Sequence, residues 1–297
     1  MRALIIFIAV VAGTLLAGVL GAYPFYRAAT PFINLPFDQA ASHSIVISGV
    51  IATLLYLRAA GDWDLEDIGL RVPATGWRLQ FAMPLALGIG LIAFMEAILL
   101  LLGVHRLDPE QDLAAAGILA HAGNAIIAGL LIAAFEEGLF RGVLYAGIER
   151  RMGAGAAVLL TSALYAAAHF IKYPPPHAAT AIDWMTGFEL LPRALRRFAD
   201  LSVYDSIVSV FLLGLLLGTV RRHCGHIVAG IGLHAGIAAT LLTVKYATDF
   251  APGSRFAFLV SRYDNYQGWF ACVWLAAAMI MFVAWTRRGA GDKVSAA

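Results

Sequence analysis

Charge is scarce in this chain. Aspartate, glutamate, lysine and arginine supply 13% of its 297 residues, about half the share of an ordinary soluble domain. So few charges cannot coat a water-soluble globule of this size. The net charge is only +2, and the arginines sit between apolar runs instead of in one patch. That excludes a nucleic-acid partner and is the pattern of membrane flanks. Cysteine occurs twice, at Cys224 and Cys272. The pair lacks metal-ligand spacing and falls near opposite ends of the spans inferred below, so neither a zinc cluster nor a disulfide framework is expected. The longest polar stretches, 58–80 and 172–205, are loop-sized, and internal repeats and low-complexity tracts are missing. One membrane domain, residues 1–297, is the expected organisation.

What is abundant is apolar. Hydrophobic residues make up 61% of the chain, with a mean hydropathy of +0.78. A helix needs about 20 apolar residues to cross the hydrocarbon core. Runs of that kind occupy residues 3–22, 43–60, 81–104, 124–148, 154–171, 206–220, 227–246 and 269–285. The fold class expected is all-α, a polytopic membrane helical bundle of about eight transmembrane helices in contact with the lipid bilayer. The first run follows Arg2 but is long for a signal peptide and ends without a clear A-x-A site, so it reads as a retained helix. Eight spans put both termini on one side, and the balance of arginines and lysines favours the cytoplasm. The compartment expected is a bacterial inner (plasma) membrane. The 172–205 loop opens with KYPPPH, which cannot continue a helix. It then carries DWMTGFELLPRALRRF, with the composition of an interfacial amphipathic segment.

Against that background AFEEGLFRG, residues 134–142, stands out. A charge at the bilayer centre costs roughly 2.5–3.5 kcal/mol, so Glu136, Glu137 and Arg141 must face the bundle interior or a wet cavity. In an α-helix Glu137 and Arg141 are four apart and in contact range. Glu136 is turned away by about 100°, which leaves it as the free carboxylate. The same three residues could also form a packing network alone. Two of the eight histidines, His169 and His234, fall inside apolar runs. A carboxylate in an apolar pocket can serve as general base on water. A histidine can share that work or protonate a leaving amine, and a further donor is needed for the oxyanion. Glu136, His169 and His234 could fill these roles. They would also suit a zinc ion with an open fourth position, although H-E-x-x-H is missing. No serine nucleophile competes, since Ser162 lacks a G-x-S-x-G context.

Three stretches resemble a known family. EEGLFR (136–141) is similar to its EExxxR signature, SALYAAAH (162–169) to its F-x-x-x-H motif with Tyr165 in the aromatic place, and FLLGLLLGTVRRHCGHIVAGIGLHAG (211–236) to the block that ends in H-x-x-x-N/D at His234. The family is CPBP, the CAAX proteases and bacteriocin-processing enzymes, also called Abi. The resemblance covers about residues 120–245 and implies a four-helix catalytic core. It also implies an intramembrane endopeptidase acting on a membrane-associated peptide or protein, with no cofactor. By the same resemblance Glu136 activates water, His169 is its partner, His234 helps stabilise the oxyanion, and Glu137 and Arg141 support them. One departure is Ala238, where the pattern has Asn or Asp. An inactive, peptide-binding member is therefore a second reading. A proton-coupled carrier is a third, but it would be expected to show inverted repeats, which are not visible. Gly214, Gly218, Gly225, Gly230, Gly232 and Gly236, in the sixth and seventh spans and between them, are expected to let helices approach closely and bring His234 near Glu136, although ordinary helix packing explains the same glycines.

Overall fold

The computed structural model describes residues 2–59, 64–71, 76–177 and 181–295. Its helices are α1 (Arg2–Ala29), α2 (Phe37–Ala59), α3 (Trp77–Leu101), α4 (Ala115–Glu136), α5 (Tyr145–Met152), α6 (Ala154–Phe170), α7 (Thr186–Leu195), α8 (Tyr204–Cys224), α9 (Val228–Ala247) and α10 (Trp269–Ser295). A π-helix, Glu137–Leu144, joins α4 to α5 without a break. Among the described residues, seven helical stretches are long and apolar enough to cross a membrane. The expected fifth span is helical too, but α6 has only 17 residues. The chain is an all-α, integral, multi-pass membrane bundle. Most helices outrun the apolar runs that announced them, because polar residues such as Asp38 and Ser42 join the first turns of α2. The last residue of the expected 43–60 span lies outside the described residues.

Helix α9 holds the centre, gripped by α3 and α4. The grip depends on glycine. A Cβ added at Gly236 would stand 2.2 Å from the Leu85 carbonyl oxygen, and one at Gly232 would stand 2.4 Å from that of Phe81. From the other side, a Cβ on Gly88 would lie 2.3 Å from the Leu233 oxygen. The close approach expected at the glycines of the sixth and seventh spans is present, and the structure names the partners. Gly232 and Gly236 on α9 admit α3, Gly230 admits the Glu137 side chain, and Gly214 and Gly218 on α8 admit Ser162 and Val158 of α6. Sequence spacing identifies small faces but not which neighbour each one meets.

Helices α1 and α2 form a hairpin, with Gly18 against Ile45 and the Ser44 hydroxyl donating to the Gly18 carbonyl at 2.8 Å. The hairpin meets the remaining helices at its two ends. Phe7 and Tyr56 pack on Leu144, Tyr145 and Ile148 at one end. At the other, Val19, Ala22 and Phe37 pack on Tyr173, Leu190 and Ala194. The segment from Lys172 to His177 is extended, and residues 178–180 lie outside the described residues. Asp183 accepts hydrogen bonds from the Met185 and Thr186 amides and so starts α7. This helix is amphipathic, but its apolar face turns inward through Leu190 and Ala194, leaving Trp184, Met185 and Leu195 exposed.

At the end of α3 a short antiparallel pair, β1 (His105–Leu107) with β2 (Thr248–Phe250), ties the α3–α4 connection to the end of α9. Here Glu96 and His105, 5% and 2% exposed, form a buried pair with His105 Nδ1 at 2.8 Å from Glu96 Oε1. His105 Nε2 lies 2.9 Å from the Asn265 carbonyl. Burial weighs against a charge on His105, but the hydrogen bond to Glu96, the Asn265 carbonyl and the charge of Glu96 outweigh it, and its pKa stands above the usual imidazole value.

Two predictions follow from these contacts. Gly236→Ala should lower the melting temperature in detergent, at a cost of about 1–3 kcal/mol as the backbones are forced apart. Gly90→Ala, which meets nothing within 4 Å, should leave it unchanged or slightly raised. For His105, a folded-state pKa above the unfolded value of about 6.5 stabilises fully below that value. The stabilisation is lost as pH rises through the folded pKa. The melting temperature should therefore fall with rising pH over that window, and His105→Gln should flatten the curve.

Candidate functional site

The site is assembled where α4 passes into the π-helix. Glu136 is the last α residue and Glu137 the first π residue. Single wider turns of this kind recur at functional sites, where they re-aim side chains. The expectation of a plain α-helix over 124–148 is corrected here, and with it the 100° angle assigned between the two glutamates. The pairing itself is present: Arg141 Nη1 donates to Glu137 Oε1 at 3.1 Å, and both side chains are fully buried. Arg141 Nη2 donates to the Gly214 carbonyl at 3.2 Å, and the guanidinium lies 4.3 Å from the centre of the Tyr165 ring. Gly230 is needed on the far side, because a Cβ there would come 2.8 Å from Glu137 Oε2.

The two histidines are held in matching ways. His234 Nδ1 lies 3.0 Å from Glu137 Oε1. A carboxylate oxygen only accepts, so this nitrogen carries the proton. His169 Nδ1 lies 2.9 Å from the Tyr165 carbonyl and donates likewise. Both rings are thereby fixed in the tautomer that turns Nε2 towards Glu136. His234 Nε2 is 3.7 Å from Glu136 Oε2, and His169 Nε2 is 3.9 Å from Glu136 Oε1. These separations exceed a direct hydrogen bond. They suit two groups that share one small molecule. The Tyr165 hydroxyl lies 3.4 Å from His234 Nε2.

A cavity of about 500 Å³ opens beside this cluster. Glu136 and His169 line it, together with Phe7, Tyr56, Lys172 and Phe198. His234 is not among the lining residues, and its side chain is 5% exposed against 20% for Glu136 and 36% for His169. The structure thus brings all five expected residues together, but only Glu136 and His169 reach the cavity. Glu137, Arg141 and His234 form the layer behind. Much of the opposite wall is α1 and α2, through residues such as Val10, Thr14, Ser42 and Thr53. That wall lies outside the 120–245 core and was not foreseen; its only trace in the sequence is the scatter of small polar residues along two apolar runs. Ala238 is half-buried on α9, one turn beyond His234. For the zinc alternative, no group of three or more His, Cys, Asp or Glu side chains among the described residues is set to hold a metal ion.

Fold and site define a membrane helical bundle with a glutamate–histidine cluster beside a cavity. Residues 116–240 match the family model of the Rce1-like proteins, described as type II CAAX prenyl endopeptidase Rce1-like. The match agrees with the CPBP resemblance and covers less than half of the chain. No curated protein and no solved structure matches the chain.

The buried pair carries a direct prediction. Arg141→Met would leave the Glu137 charge unneutralised in a fully buried site, at a cost of about 3–5 kcal/mol. Little folded protein should be recovered on size exclusion in detergent. Adding Glu137→Gln should restore a good part of the yield.

Proposed function

We propose that the protein is an intramembrane endopeptidase that cleaves a peptide bond of a membrane-associated peptide or protein. The observation that carries this reading is the convergence of two oriented imidazole nitrogens on Glu136 at the wall of an apolar cavity. In this mechanism a water molecule sits between the Glu136 carboxylate and the Nε2 atoms. Glu136 takes a proton from it, and the hydroxide oxygen adds to the scissile carbonyl carbon. The proton then passes, with the help of His169, to the amide nitrogen of the tetrahedral intermediate. The C–N bond breaks, and the products are a carboxylate and an amine.

The resemblance assigns His234 to the oxyanion. Its burial favours a different share of the work, in which it is aimed by Glu137 and its Nε2 accepts from the water molecule that Glu136 also holds. With Ala238 in the last motif, one oxyanion donor is missing, a deficit of roughly 10²- to 10³-fold in rate. Ala238 is also what favours the second reading, a peptide-binding protein built on a protease scaffold. The largely apolar wall suits a substrate that enters from the bilayer. Helical spans, as opposed to a barrel, suit a bacterial inner membrane over an outer one.

The test compares membrane and secreted peptides from cells carrying wild type, Glu136→Gln or Glu137→Gln, with and without a chelator. Glu136→Gln should reduce a processing event by about 10²- to 10⁴-fold, and chelation should leave wild type unaffected. Loss on chelation would move the case to the zinc-dependent hydrolysis by Glu136, His169 and His234. No change in any peptide would favour the binding protein. Where cleavage is seen, Ala238→Asn should accelerate it.

A further inference from the structure

A second cavity lies at the end of the bundle where α5 and α8 finish. It has a volume of about 270 Å³, and its charged lining is Glu66, Asp67, Glu149, Arg150, Arg221 and Arg222. Three carboxylates face three guanidiniums, yet they do not cancel pairwise. Asp67 is paired with Arg150, and Glu66 with Arg71 at 3.0 Å. Among the described residues, Glu149, Arg221 and Arg222 form no ion pair.

Arg221 is the telling member. It is 5% exposed, and it spends Nε on the Arg141 carbonyl at 3.1 Å and Nη2 on the Asp67 carbonyl at 2.9 Å. Its guanidinium lies 5.2 Å from the centre of the Tyr145 ring. Carbonyls and a ring satisfy donors, but among the described residues no carboxylate comes within ion-pair distance of the charge, Glu149 acting on it only from farther away; a buried charge is costly unless it is paired. Arg222 stands beside it, exposed, on the same wall. Glu149 is half-buried and accepts only from the Tyr145 hydroxyl, at 3.3 Å. The cavity thus offers two cations and, apart from them, one anion.

We propose that this cavity binds a phosphate group with a neighbouring ammonium, the chemistry of a phosphoethanolamine headgroup. The phosphate oxygens accept from Arg221 and Arg222, whose planar guanidiniums suit such oxygens. The ammonium donates to Glu149. The position suits a lipid as the source, because basic pockets between membrane helices at headgroup level take phospholipid headgroups. The site is separate from the glutamate–histidine cluster and does not depend on its being a protease.

The experiment is a melting series on the full chain, stripped of lipid, in maltoside detergent. It uses glycerophosphoethanolamine, dioleoylphosphatidylethanolamine, glycerophosphoglycerol and inorganic phosphate as probes. A saturable rise in melting temperature is expected with glycerophosphoethanolamine, with the intact lipid, or with both; a response to the intact lipid alone identifies a lipid site. Glu149→Gln should raise the half-saturating concentration of the ethanolamine probe about tenfold, the loss of one charge-assisted hydrogen bond. It should not weaken inorganic phosphate. Arg222→Gln should weaken every phosphate probe. Each variant's midpoint without ligand sets its own baseline, so poor folding and lost binding are read separately. Absence of a saturable rise with either ethanolamine probe would overturn the proposal. So would equal binding of the ethanolamine and glycerol probes, or variants that bind like wild type.

Discussion

A fully buried carboxylate–guanidinium pair, Glu137 with Arg141, sets the terms for everything around it. Two charges withdrawn from water cost several kcal/mol each, and their attraction offsets that only if the remaining donors and acceptors are also met. Arg141 therefore reaches the Gly214 carbonyl on α8 and lies over the Tyr165 ring on α6. Glu137 accepts from His234 on α9 and requires Gly230 to stand aside. One ion pair thus fixes the spacing of three neighbouring helices against the π-helix. It also aims His234, whose other nitrogen faces Glu136. The two adjacent glutamates have different environments for this reason, one sealed and committed, the other at the edge of a cavity.

The cavity in turn depends on how the first two helices are attached. The α1–α2 hairpin packs tightly on itself and touches the rest of the bundle at its two ends, on the π-helix and α5 at one and on Tyr173 and α7 at the other. Between those contacts the wall stands off, and the space is filled by neither side chains nor a helix. Glu136 and His169 look into that space. A peptide segment held there would be desolvated on most of its length, which strengthens any charge interaction made at the scissile bond. The same arrangement explains why the residues that match the family model, 116–240, supply the polar groups while the hairpin supplies much of the shape.

Much of this was legible in the sequence, and the failures have physical reasons. Eight apolar runs announced the helices because lipid tolerates no unpaired backbone, so each span must be a continuous helix of known length. Glu136, Glu137, Arg141, His169 and His234 were legible because polar residues in such runs are too costly to be there by accident. The π-helix was not, since EGLFRGVL has no residue that excludes ordinary α geometry and the wider turn is imposed by packing. The partners of the glycines were missed because a small residue marks a close approach without saying to what. The hairpin's wall was missed because apolar residues facing a cavity read the same as those facing lipid. His234's place behind Glu136 required three dimensions.

The central claim is that Glu136 works on water and does not itself attack the peptide. Oxygen-18 tracing in a single turnover, with hydroxylamine in a parallel sample to trap any acyl–Glu136 anhydride, separates the two. Enzyme prepared in ordinary water is mixed in excess with substrate in ¹⁸O-water, and the new C-terminal carboxylate is analysed by mass spectrometry. The account predicts one ¹⁸O atom in the product of the first turnover and none in Glu136. An unlabelled product with the label on Glu136, or a substrate hydroxamate in the hydroxylamine sample that needs Glu136, would mean a covalent acyl intermediate and would contradict it.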